Sequence, residues 1–110
     1  MEEILEKLIS KLKSNVGHND WSTIILSLMR LRGTVNFSAV YTNENNEIQD
    51  VEVNFGFWDA KLVHKLHELT STINNWNRAK IKLFSDGRYT YEFTYDKDLQ
   101  EEVDRLNSEY

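Results

Sequence analysis

The spacing of apolar residues changes repeatedly along this 110-residue chain, and these changes limit the folds available to it. Residues 4–16 repeat apolar side chains every three or four positions, which is the spacing of one helix face. Residues 21–57 place them every second position or in continuous runs, which is typical of β-strands. Helical spacing returns over residues 62–73, alternation returns over residues 78–95, and a last helical stripe starts at Leu99. The predicted order is therefore α-β-β-β-α-β-β-α.

This order favours connections of the hairpin type. We therefore predict an α+β fold with a mainly antiparallel sheet of about five strands and helices packed against it. No linker-like or repeated segment interrupts the sequence, so we predict one domain over residues 1–110.

Composition narrows the functional classes. Hydrophobic residues make up 40% of the chain, enough for a core, and 18 acids against 13 bases give a net charge of -5. This charge argues against a general nucleic-acid binder, which needs a positive face. The sequence has no cysteine, which excludes disulfides and thiol nucleophiles. No apolar run approaches the ~18 residues of a membrane span. We therefore expect a cytoplasmic protein.

The strand regions contain two irregular features. Residues 21–31 carry large apolar side chains at both odd and even positions, as expected for a strand that is covered on both faces or bulged. A third strand is predicted over residues 50–57, where apolar residues alternate with acidic or small ones: Val51, Val53, Phe55 and Phe57. We place the N-cap of the next helix at Asp59, with Trp58 and Val63 at the spacing of a hydrophobic staple.

The segment from residue 78 to residue 95 is a predicted hairpin around Ser85-Asp86-Gly87. A two-residue turn would place the apolar residues before it opposite the aromatic residues after it. A three-residue loop with Gly87 left-handed pairs Leu83 with Tyr89, so that one apolar face results. That face comprises Ile81, Leu83, Tyr89, Tyr91, Phe93 and Tyr95. We predict the three-residue loop.

Acidic residues are concentrated in two segments. Residues 43–59 contain five acids and no base, and residues 96–110 contain six acids and two bases. The second segment is the last predicted helix, which either Asp96 or Asp98 caps. Acid–base catalysis by the first segment would need a pocket that raises one carboxyl pKa. A solvated face or a protein-binding surface is the better interpretation.

Two other functional classes stay open. One is a small enzyme with a dispersed site of histidines and carboxylates, in which His64, His67 and Glu68 are the candidates on the second helix. No third ligand with fixed spacing accompanies them, so we predict neither a metal nor another cofactor.

The other class is a small nucleic-acid-binding module that uses the basic hairpin. Its candidate residues are Arg78, Lys80, Lys82 and Arg88. Lys80, Lys82 and Arg88 fall on the strand positions opposite to the aromatic residues. A base-stacking platform needs both on one exposed face, so this function is disfavoured.

A Trp shortly before a strand, an Asp-Gly hairpin, and alternating aromatics that end in Tyr-Asp characterise residues 76–96, WNRAKIKLFSDGRYTYEFTYD. This stretch resembles the C-terminal signature of the YezG-like antitoxin, or immunity protein, family. The matching residues are Trp76, Asp86, Gly87, Tyr89, Tyr91, Phe93, Tyr95 and Asp96. Asp20-Trp21 and His67-Glu68-Leu69 fit more loosely, and the Pro that usually precedes the Asp/Glu-Trp step is absent.

The resemblance implies a non-enzymatic immunity protein that binds and neutralises a cognate bacterial toxin domain. Such toxins are commonly nucleases, delivered as polymorphic toxins or by contact-dependent growth inhibition. It implies a protein–protein complex without direct contact to nucleic acid or membrane. A nuclease site is basic, and an acidic partner can be steered to it. We predict that the toxin-facing residues are Glu44, Glu47, Asp50, Glu52, Trp58 and Asp59. The alternative surface consists of Asp98, Glu101, Glu102 and Asp104.

Overall fold

Three helices and five strands make up the described part of the chain. The computed structural model describes residues 1–16, 21–31, 34–70 and 76–108, with only the backbone at Leu31, Val103 and residues 106–108. The elements are α1 Glu2–Val16, β1 Thr23–Leu31, β2 Thr34–Thr42, β3 Ile48–Val51, α2 Phe57–Thr70, β4 Arg78–Phe84, β5 Tyr89–Thr94 and α3 Lys97–Ser108. The predicted α+β class and element order are confirmed.

The five strands form one antiparallel sheet in the order β3-β2-β1-β4-β5. β1 lies at its centre, and its even-numbered residues Ile24, Leu26 and Leu28 are buried. The pairing of β1 with β2 is unbroken from Thr23 to Leu31, so the bulge that we considered is absent from this strand. Ile25 and Met29 point to the other face and are only half-buried, so that face is not fully covered. Glycine favours turns, so the sequence predicts the turn between β1 and β2 at Arg32-Gly33, which lies outside the described residues.

α1 and α2 pack against the face of the sheet that holds the core. The six apolar residues that define the α1 stripe are all buried: Ile4, Leu5, Leu8, Ile9, Leu12 and Val16. α1 crosses the sheet, because Glu6 lines a depression with Tyr89 of β5 while Asn15 accepts a hydrogen bond from the backbone N–H of Asn54 beyond β3. Burial raises the pKa of the Tyr89 hydroxyl, and the nearby Glu2 and Glu6 raise it further.

Trp76 joins the end of α2 to the hairpin of β4 and β5. Its ring is buried and stacks on Phe93, with 4.9 Å between centroids and 16° between planes. Its indole N–H donates a hydrogen bond of 2.7 Å to the hydroxyl of Thr70, and that hydroxyl donates one of 2.8 Å to the carbonyl of Leu66. The indole is therefore both buried and satisfied.

The hairpin has the predicted three-residue register. Leu83 pairs with Tyr89, Ile81 pairs with Tyr91, and Gly87 has a φ of 93°. Because β5 is an edge strand, its shared apolar face is not fully covered: Tyr91 is 44% exposed. Tyr95, just after the strand, is 47% exposed.

The predicted third strand is partly wrong. β3 begins at Ile48 and ends at Val51, while Val53 and Phe55 pack on the core without belonging to a strand. Phe57, assigned above to this strand, is the first residue of α2.

The predicted start of α2 is also wrong. Gly56 precedes the helix, and the carboxylate of Asp59 reaches back to accept a 2.8 Å hydrogen bond from its N–H. Asp59 therefore occupies the third helical position and caps by the reverse bond of a capping box. The Trp58–Val63 staple is absent, since Trp58 is exposed and Val63 is buried.

Asp96, one of the two predicted caps, begins α3. Its carboxylate accepts a 3.1 Å hydrogen bond from the N–H of Leu99. The Asn77 side chain bonds both the N–H and the carbonyl of Asp96, and Arg78 Nε donates to its carboxylate at 2.7 Å. The bonds from Leu99 and Arg78 hold the pKa of Asp96 below its ordinary value. Asp98 is the second helical residue and is not the cap.

Candidate functional site

The turn between β2 and β3 presents two acidic side chains to solvent. The side-chain oxygen of Asn43 accepts hydrogen bonds of 2.9 Å from the backbone N–H groups of Asn45 and Glu47. Asn46 completes the turn with a φ of 62°, which asparagine tolerates better than most residues. Glu44 and Glu47 are both exposed. The polar residues of this turn thus hold two carboxylates at one end of the sheet.

Two further predicted acids follow along the same edge. Asp50 lies opposite Val40 in the ladder of β2 and β3, and its side chain is exposed. Glu52 follows β3 and borders an open depression of about 580 Å³, together with Lys11 and Asn15 of α1. Neither carboxylate forms an ion pair within the described part of the chain, so both are available to a partner.

An exposed aromatic pair begins α2. Phe57 is 68% exposed and Trp58 is 74% exposed. Their rings meet edge-to-face, with 5.5 Å between centroids. The ammonium of Lys61 lies 4.9 Å from the Phe57 centroid and 5.1 Å from that of Trp58. Large aromatic side chains are costly to leave in water, so this pair is a candidate anchor for a protein partner.

The predicted site residues do not form one compact cluster. The length of β2 gives the distance between the acidic turn and the start of α2. The last residue of β2, Thr42, lies beside the turn. Phe37 lies five residues earlier, and its ring contacts Phe55 just before α2. At the rise of a β-strand this is roughly 17 Å. Glu44 and Glu47 therefore lie at one end of the sheet edge, and Trp58 lies towards the other. Asp59 is half-buried, and its carboxylate already accepts the hydrogen bond from Gly56 at the start of α2.

We call the whole strip the β3-edge surface. It comprises Glu44, Glu47, Asp50, Glu52, Phe57 and Trp58. A standard protein interface covers about 800 Å² per partner, a patch roughly 30 Å across, so one interface can span the strip. Phe57 was missed as a site residue because its alternation with Phe55 placed it in a strand. A Gly followed three residues later by Asp was the available signal for a helix start at Phe57.

The acids of the alternative surface on α3 make more contacts with neighbouring side chains than the acids of the β3-edge surface do. Glu101 pairs with Lys97 at 3.7 Å, and Glu102 pairs with Arg105. Asp104 accepts a 3.1 Å hydrogen bond from Gln100. Asp98 is exposed like the other three acids. Because ion pairs within the helix already compensate two of the four carboxylates, this surface offers less unpaired negative charge than the β3-edge surface.

The histidines of α2 lie on its half-buried side. Arg30 Nε donates a 3.3 Å hydrogen bond to His64 Nδ1, and the His67 ring lies edge-on to Trp76 with 5.0 Å between centroids. Across the described ranges, no three His, Asp or Glu side chains are grouped so that they could hold a metal ion. Both histidines thus take part in packing between α2 and the sheet.

The four basic residues of the hairpin are separated from its aromatic face. Lys80 and Lys82 lie opposite Glu92 and Thr90, on the face away from the core, as the alternation predicted. Two of the four bases are paired, Arg78 with Asp96 and Arg88 with Asp86, each at 2.7 Å. Phe84, which the prediction did not consider, has Lys82 and Arg88 within 5.4 Å of its ring centroid. One half-buried ring is a small platform for stacking bases.

No described helix is both long enough and apolar enough to cross a membrane. Comparison with known proteins adds no relative: no protein-family model matches the sequence, and no curated protein matches it significantly.

Proposed function

We propose that this protein is an immunity protein, which binds a cognate bacterial toxin domain through the β3-edge surface and neutralises it. The observation that carries the proposal is the exposed Phe57–Trp58 pair at the start of α2. Trp is among the residues most enriched at the energetic centres of protein interfaces. The resemblance of residues 76–96 to the YezG-like family supplies the class of partner.

Charge favours the same surface. The four acids of the strip are exposed, and the chain as a whole carries a net charge of -5. A nuclease domain presents a basic face because it binds phosphates. Opposite charges on two proteins raise the rate of association by one to three orders of magnitude at low salt. The acids therefore steer the encounter, and the aromatic pair anchors the complex.

Co-expression tests the function directly. The probe is the C-terminal domain of the polypeptide encoded immediately upstream, expressed alone and together with this protein. We expect that domain to be toxic alone, harmless when co-expressed, and recovered as a complex. A domain that kills equally in both conditions, or that is harmless alone, contradicts the proposed function in that genetic setting.

The purified complex then tests the surface. We expect the triple variant Glu44→Lys, Glu47→Lys, Glu52→Lys to lower the association rate at least about tenfold at low salt, with a smaller effect at high salt. The variant Glu101→Lys, Glu102→Lys, Asp104→Lys makes the same change in charge on α3 and is the matched control. Equal effects of the two triples would assign the result to net charge alone. A larger effect of the α3 triple would move the interface to α3.

Trp58→Ala tests the anchor in the same assay. Truncation of a central aromatic residue typically costs at least 2 kcal/mol of binding energy, or about 30-fold in Kd. We expect this loss mainly in the dissociation rate, since Trp58 carries no charge. Because its side chain is exposed, the variant should keep wild-type stability, which thermal unfolding verifies. An unchanged Kd would remove Trp58 from the interface.

A further inference from the structure

The solvent-facing side of α2 combines apolar residues with positive charge. Phe57, Lys61, Lys65 and Leu69 follow one another at intervals of four residues, and Trp58 lies beside the first. The two lysines are exposed. Leu69 is 53% exposed, although it belongs to the apolar residues whose helical spacing over residues 62–73 predicts one buried stripe. We call these five residues the α2 outer face. They extend over about 18 Å of helix.

This face is not part of the core. The side of α2 that meets the sheet and α1 is formed by other residues, of which Val63, Leu66 and Thr70 are buried. Three of the large apolar side chains that the structure leaves exposed therefore lie together on one helix surface. Glu68 is the exposed acid of α2 beside these apolar side chains. The lysines give the face a sign opposite to that of the acidic residues 44–52.

We infer that the α2 outer face binds an apolar recess bordered by carboxylates on the toxin domain, so that the partner's binding face is bipolar. This inference rests on the proposed function and specifies the chemistry of its partner. The basic part of the partner meets Glu44, Glu47, Asp50 and Glu52. Its apolar and acidic part meets Phe57, Trp58, Leu69 and the two lysines.

Charge complementarity selects this occupant over two others. A second copy that packed α2 against α2 across a two-fold axis would bring Lys61 and Lys65 towards their own counterparts, which is repulsive. An anionic lipid surface would attract the two lysines but repel a chain whose net charge is -5. A protein patch that is both apolar and acidic satisfies the rings and the lysines together.

Two matched double variants test the inference in the complex with the upstream-encoded domain. Lys61→Glu with Lys65→Glu changes the α2 outer face, and Lys80→Glu with Lys82→Glu makes the same change in charge on exposed β4 positions. Both double variants make the net charge of the protein more negative. We expect the α2 variant to raise Kd about tenfold or more. The β4 variant should leave Kd unchanged or lower it, because added negative charge favours a basic partner.

A single variant separates charge from packing. Lys65 has no contact with an aromatic ring within the described residues, whereas Lys61 lies over two rings. Lys65→Glu therefore leaves the aromatic pair intact, and we expect it alone to raise Kd severalfold. Leu69→Ala should also weaken the complex, while circular dichroism shows that α2 remains folded.

The outcomes separate this inference from the proposed function. If the wild-type protein forms no complex with the upstream-encoded domain, both fail. If the complex forms but neither the Lys61/Lys65 variant nor Leu69→Ala weakens it more than the β4 control, the inference fails and the proposed function stands. Binding of the free protein to vesicles of anionic phospholipid, lost in the α2 variants that the complex tolerates, would assign the face to a membrane. Self-association in sedimentation that the same variants abolish would assign it to a second copy.

Discussion

Thr70 and Asn77 are the two polar residues that are buried within the described chain, and each bridges elements that are separate in sequence. The Thr70 hydroxyl accepts a hydrogen bond from the indole N–H of Trp76 and donates one to the carbonyl of Leu66. The Asn77 amide bonds the backbone of Asp96 at the start of α3. A buried polar group is tolerated when its hydrogen-bond partners are present. The hydrogen bonds of these two residues fix the relative positions of the segments that they join, which apolar packing alone would specify less strictly.

Replacing Thr70 by Val tests the value of its hydroxyl. The change keeps the shape of the side chain but leaves the indole N–H of Trp76 buried without an acceptor. We expect the free energy of unfolding to fall by about 1–3 kcal/mol, measured by urea denaturation. Thr90→Val, on an exposed position of β5, is the control and should stay within about 0.5 kcal/mol of wild type. Equal stability of the two variants would contradict the role of the hydroxyl.

At the scale of single elements, the sequence predicted registers better than boundaries. The hairpin loop could be selected because only one register placed Leu83 and Tyr89 on the same face, and burial of one face determines register. The last residue of β3 could not be predicted from burial of one face. Side-chain alternation reports which residues face the core, and Val53 and Phe55 do so. It does not report whether the backbone pairs with a neighbouring strand.

Gly87 is the residue on which the hairpin prediction most directly depends. Its φ of 93° is strained for any residue with a Cβ, while no described atom beyond Gly87 and its two chain neighbours lies within 4 Å of the place that a Cβ would take. Gly87→Ala should therefore destabilise the protein by about 1 kcal/mol through backbone strain alone. Gly87→Asn should lose less, since Asn accepts positive φ more readily. Urea denaturation of both variants measures this, and equal losses for Ala and Asn would point to a cause other than φ.

At the scale of the whole molecule, adjacency in sequence was a poor guide to the candidate site. The acids of residues 43–59 look like one block in the sequence, but a turn, a strand and a helix start distribute them along an edge of the sheet. Asp59 is half-buried, and its carboxylate accepts a hydrogen bond from the backbone N–H of Gly56 at the start of α2. The structure leaves Trp58 and the acids Glu44, Glu47, Asp50 and Glu52 exposed, and their placement along the sheet edge follows from the fold and not from their order in the sequence.

The acid stability of the molecule should depend on two aspartates. The backbone N–H of Arg88 and its guanidinium hold the pKa of Asp86 below the ordinary 3.8, and the pKa of Asp96 is lowered similarly by Leu99 and Arg78. The unfolded chain therefore binds more protons than the folded one near and below pH 4. Stability from both groups is complete above about pH 5 and is lost as the pH falls through their lowered values.

Urea denaturation between pH 7 and pH 3 tests this dependence. The double variant Asp86→Asn, Asp96→Asn keeps two hydrogen-bond acceptors but removes both charges, so its stability should fall less steeply below pH 5 than that of the wild type. Glu44→Gln with Glu47→Gln makes the same change in charge at the exposed turn and is the control. If the control flattens the curve as much as the aspartate variant, the assignment to Asp86 and Asp96 is wrong.

The central place of β1 in the sheet has a consequence for the protein during its synthesis. β1 pairs on one side with β2, which follows it closely, and on the other with β4, which begins 47 residues after Leu31, at Arg78. A ribosome that has released only the first three strands therefore leaves one whole side of β1 unpaired, next to the apolar Ile24, Leu26 and Leu28. Unpaired apolar edges invite pairing between chains. The nascent chain is thus most open to aggregation until β4 emerges and occupies that side.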